Sequence, residues 1–140
     1  MMNSTALALA GFILWFMLLL VGIILLRILH TARTGKPANS YQSDGSDVSP
    51  FSQRLCAAHM NCVESVPFMI GLPLLAIVTG NTAVTDHLAL VVLAARIGQT
   101  SIHLYSTSEA AVKMRAGFFT IQVGVALYWV LSLLAGLVRG

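Results

Sequence analysis

Three sets of polar residues interrupt an otherwise apolar chain. The run Arg54-Leu-Cys-Ala-Ala-His59-Met-Asn61-Cys-Val-Glu64-Ser-Val-Pro67 places two charges, an imidazole and a carboxamide at the head of a long hydrophobic stretch. Arg96, Gln99 and His103 follow at i, i+3, i+7, and Arg115 and Gln122 stand at i, i+7. On a helix turning by about 100° per residue, Arg54, Asn61 and Glu64 fall within roughly 80° of one another, and each of the other two sets shares a face. His59 points away from the first stripe. A charge at a bilayer centre costs roughly 2.5–3.5 kcal/mol on insertion scales, so such residues need a polar partner or a ligand. Salt bridges from Glu64 to Arg96 or Arg54 would satisfy some of them and hold helices in register. They leave charge over, because Arg54, Arg96 and Arg115 face one acid, Glu64. That surplus points to an anionic ligand, and the planar guanidinium fork suits a carboxylate.

The elements that must position these residues are membrane helices. The chain is 57% hydrophobic and 9% charged, against about 25% charged in a soluble domain. Four apolar segments, about 6–29, 54–79, 84–105 and 116–138, each approach the roughly 20 residues that a spanning helix needs. This predicts an all-α integral membrane four-helix bundle, residues 1–140 forming one transmembrane domain. The N-terminal segment has no basic stretch before it and is too long for a signal-peptide core, so it reads as a retained helix. Thr31 to Ser52 is polar and turn-prone and should form a solvated, mobile first loop. Pro67 and Pro73 should bend the second helix, and Asp86 suits the start of the third.

Lys and Arg cluster around the first loop (Arg27, Arg33, Lys36, Arg54) and the third (Lys113, Arg115), while the second has none. The positive-inside rule then places loops one and three in the cytoplasm and both termini outside. The net charge of +3 is scattered and makes no nucleic-acid face. Cys56 and Cys62, at i, i+6, lie on different faces of one helix, cannot pair there, and read as apolar filler. No GxGxxG, P-loop, HExxH or GxSxG occurs, so nucleotide, zinc-protease and serine-hydrolase readings find no support. No metal site is expected.

The pattern Arg54…Ala58-His59-x-Asn61-x-x-Glu64-x-x-Pro67-Phe68 resembles the signature of the MAPEG family, the membrane-associated proteins of eicosanoid and glutathione metabolism. Arg96 and Arg115 stand in matching order, and the resemblance covers nearly the whole chain. It implies a homotrimer with glutathione held between subunits near the cytoplasmic face. By position it implies that Asn61, Glu64 and Arg96 contact glutathione, with His59 in the same motif. Gln99 and His103 fall where members place His or Tyr contacts, and either Arg27 or Arg33 fills the first-helix position. Arg115 resembles the arginine that stabilises the thiolate. Ala57 and Met60 stand where some members carry Arg, and His103 where they carry Tyr.

The leading expectation is therefore a glutathione-dependent transferase or peroxidase acting on lipophilic electrophiles that arrive from the lipid. Two alternatives stand beside it: a non-catalytic lipid-binding protein of the same fold, and a small proton-coupled multidrug exporter using Glu64.

Overall fold

A computed structural model describes residues 3–139. Its helices are α1 (Ser4–Thr34), α2 (Pro50–Met69), α3 (Gly71–Val78), α4 (Asp86–Tyr105) and α5 (Glu109–Arg139), with short 3-10 turns at Ala38–Ser40 and Thr82–Val84 and no strand among the described residues. Four helical stretches are long and apolar enough to cross a membrane, α2 and α3 counting together as Pro50–Val78. The chain is an integral, multi-pass membrane protein. Large apolar side chains such as Leu14, Leu18, Ile24 and Leu131 face outward, as lipid exposure requires.

Local chemistry sets the boundaries. Ser49 caps α2 by accepting the Ser52 N–H, and Pro50 occupies the first turn, where its missing N–H costs nothing. The second helix is not one rod. It breaks at Ile70, because Pro73 has no N–H to give to the Met69 carbonyl one turn back, and its ring crowds that carbonyl. Pro67 weakens the ladder one turn earlier. α5 begins at Glu109, well before the expected Ala116, and α1 runs past Leu29 to Thr34, where Gly35 takes the left-handed conformation that ends it (φ 70°).

Two polar joints tie the ends together. At one, Asp86 accepts both the Thr5 backbone N–H (3.0 Å) and the Thr5 hydroxyl (2.7 Å), so it caps α1 as well as opening α4. At the other, Arg54 Nε donates to the Leu104 carbonyl at 2.8 Å, tying the start of α2 to the end of α4. The first loop is shorter than expected and folded back rather than free. Arg27 Nη2 donates to the Gln42 carbonyl (2.9 Å). Tyr41 sits over the end of α1, hydrogen-bonded to His30 and Thr31, and Lys36 pairs with Asp47. Gly45 (φ 71°) packs so closely that a Cβ there would lie 2.8 Å from Cys56 Sγ and 2.7 Å from Ser52 Oγ. Only glycine supplies both the backbone angle and the space.

Candidate functional site

A polar cluster forms in the membrane interior where α2, α4 and α5 meet. Arg96 lies at the middle of α4 and is fully buried. Its Nη1 donates to Asn61 Oδ1 at 2.8 Å, and its guanidinium stacks over the Phe119 ring at 5.8 Å. Gln99, one turn on, donates from Nε2 to the same Asn61 oxygen at 3.0 Å. Gln122 of α5, also fully buried, donates from Nε2 to Gln99 Oε1 at 2.9 Å and to the Phe118 carbonyl at 3.0 Å. Among the described residues Arg96 has no carboxylate partner, and its Nε and Nη2 are buried without any hydrogen bond. A buried guanidinium in that state is costly, since desolvation is recovered only through an opposite charge and a full set of acceptors.

From this cluster a cleft of about 250 Å³ runs toward the third loop, lined by Asn61, Gln99, His103, Val112, Arg115, Ala116 and Phe119. The wall contains a guanidinium, an imidazole and two carboxamides but no carboxylate. Arg115 Nε is buried without a partner among the described residues. Beside the cleft, between α2–α3 and α5, lies an apolar groove of about 260 Å³ lined by Pro67, Phe68, Leu72, Val123, Ala126, Leu127 and Val130. Phe119 of the cleft and Phe68 of the groove meet edge to face, ring centres 6.4 Å apart.

The ten residues singled out in sequence divide into two groups. Asn61, Arg96, Gln99, His103 and Arg115 come together. Arg54 is spent on the Leu104 carbonyl, and His59 packs its ring against Phe16 of α1, centres 4.6 Å apart. Arg27 holds the first loop, and Arg33 is exposed in the last turn of α1. Glu64 pairs with neither Arg96 nor Arg54. It is exposed at the centre of the Pro50–Val78 span and has no partner among the described residues. The salt-bridge network that spacing suggested is therefore not formed within one chain: the helical angles were right, but α2 presents Asn61 to α4 and turns Glu64 outward. Gln122 was noted in sequence but given no site role, and Phe119 was not singled out. Gln122 carried a signal, its i, i+7 spacing from Arg115; Phe119 carried none. Cys56 and Cys62 are free and buried, as spacing on one helix requires.

A model of the MAPEG family matches residues 5–135. No curated protein and no solved structure matches the chain.

Proposed function

The chain belongs to the MAPEG family, whose members are membrane proteins of glutathione and eicosanoid metabolism, and on that premise we propose that it is a glutathione-dependent transferase or peroxidase acting on lipophilic electrophiles. The observation that carries this reading is the cleft, whose only charged wall residue is Arg115 and whose far end is backed by the uncompensated Arg96. Such a site favours an anion. Glutathione enters from the third-loop end. Arg115 favours its thiolate over its thiol, because a fixed positive charge nearby stabilises the charged form. The electrophile lies in the apolar groove and reaches the sulfur past Phe68 and Phe119.

A lone carboxylate facing lipid at mid-span is unfavourable. Glu64 instead faces a neighbouring subunit of a homotrimer, where it accepts from the α-ammonium group of glutathione. Loops one and three, with most of the Lys and Arg, face the cytoplasm. The exporter reading loses its support to family membership and gives no reason for Arg96 or Arg115.

Calorimetric titration of the detergent-solubilised protein with glutathione tests the proposal. Saturable binding with one site per chain is expected. No binding would move the non-catalytic lipid-binding reading ahead.

A further inference from the structure

The carboxamides between α2 and α5 form a chain whose hydrogen-bond direction is set at both ends. At one end the Phe118 carbonyl can only accept, so Gln122 must present its amide nitrogen there. The same nitrogen reaches Gln99 2.9 Å away, so Gln99 must present its oxygen to α5 and its nitrogen to Asn61. At the other end Arg96 can only donate. Asn61 Oδ1 therefore receives Gln99 at 3.0 Å and Arg96 at 2.8 Å. Two donors fill the two lone pairs of that oxygen. Flipping any one carboxamide would set donor against donor or oxygen against oxygen in a buried place, where an unmatched polar group costs about 1–3 kcal/mol.

Asn61 lines the cleft, and its Nδ2 makes no hydrogen bond among the described residues. We infer that Gln99 and Gln122 are positioning residues: they lock Asn61 with its amide N–H groups toward the cleft, so that with Arg115 the site recognises hydrogen-bond acceptors. Asn61 has no acceptor left for a ligand. The group it meets is an acceptor such as a carboxylate, a thiolate or a carbonyl oxygen, not an ammonium group. For glutathione this rests on the proposed function; the locking itself does not.

Two measurements separate these. The first needs no ligand. In ¹⁵N-labelled protein, side-chain amide hydrogens of Gln99 and Gln122 should exchange with solvent at least about tenfold more slowly than those of Asn61, and Gln122→Met should speed exchange at Gln99. Equal rates at all three would overturn the relay. The second compares glutathione, S-methylglutathione and glutathione amidated at either carboxylate. Asn61→Asp keeps the shape and the oxygen facing Arg96 but replaces the cleft-facing nitrogen with oxygen. It should weaken glutathione binding by about tenfold or more, the scale of one charge-assisted hydrogen bond. The analogue lacking the group that faces Asn61 should lose little, which identifies that group as the thiolate or one of the carboxylates; an equal loss for all of them assigns a peptide carbonyl. Gln122→Met, outside the cleft wall, should show the same selectivity more weakly. Glutathione bound equally or more tightly by Asn61→Asp, or a loss in Gln122→Met that does not follow the Asn61→Asp pattern across the ligands, would overturn the inference. If the wild type binds no glutathione at all, the proposed function fails while the exchange measurement still decides the relay.

Discussion

At the scale of single residues, Arg96, Arg115 and Glu64 carry the unbalanced charge. Among the described residues Arg96 is buried with a hydrogen bond from Nη1 alone, and Glu64 is exposed with neither oxygen paired. Their roles predict opposite kinetic signatures. If Glu64 holds one end of glutathione as proposed, Glu64→Gln removes that charge, and Kd should rise by about tenfold while the rate from the bound state changes less. Single-turnover kinetics with saturating glutathione separates the two; an equal fall in both would assign Glu64 to the chemistry instead. Arg115→Ala should lower turnover on the order of a hundredfold, as for loss of one donor aimed at developing charge. Arg115→Lys should recover only part, because an ammonium keeps the charge and loses the fork. Which polar residues would meet was partly legible in sequence. Helical angles put Arg96, Gln99 and His103 on one face and Arg115 with Gln122 on another, and those faces do converge. The angles could not say which part of the α2 stripe would turn to α4, because that rotation depends on packing of Ser65, Cys62 and Ala58 against the bundle.

At the scale of elements, hydropathy located four spans because lipid-facing residues must be apolar whatever they pack against. It misplaced the start of α5, since Glu109, Lys113 and Arg115 lower the apolar signal while remaining good helix formers. It also missed how the first loop is held. The Lys36 ammonium, hydrogen-bonded to Asp47, holds that carboxyl below the usual carboxylate range. A depressed folded-state value means that the pair supports the loop fully above roughly pH 4, and that the support fades as pH falls through the lower folded value. The loop covers Cys56 through Gly45. Asp47→Ala should therefore speed maleimide labelling of Cys56 at pH 7 several-fold, with Cys62, deeper in the bundle, unaffected. Unchanged labelling of Cys56 would show that Tyr41 and Arg27 hold the loop without the ion pair.

At the scale of the whole molecule, a mid-span carboxylate without a partner among the described residues predicts assembly. Native mass spectrometry from mild detergent should show three protomers, and Glu64→Leu should not weaken folding of the single chain, since the exposed Glu64 makes no hydrogen bond or ion pair among the described residues. A clean monomer would contradict the subunit-bridging role of Glu64. The arrangement of basic residues predicts that Ser46→Cys is labelled from the cytoplasmic side and Thr82→Cys from the other. The proposal that the cleft turns a bound thiol into a nucleophile is tested most directly by thiolate absorbance in the ultraviolet, followed against pH with glutathione bound to wild type and to Arg115→Ala. A thiolate formed near neutral pH in the wild type, with the titration moved to higher pH in Arg115→Ala, is the predicted result; identical titrations, or no thiolate near neutral pH in the wild type, would contradict it.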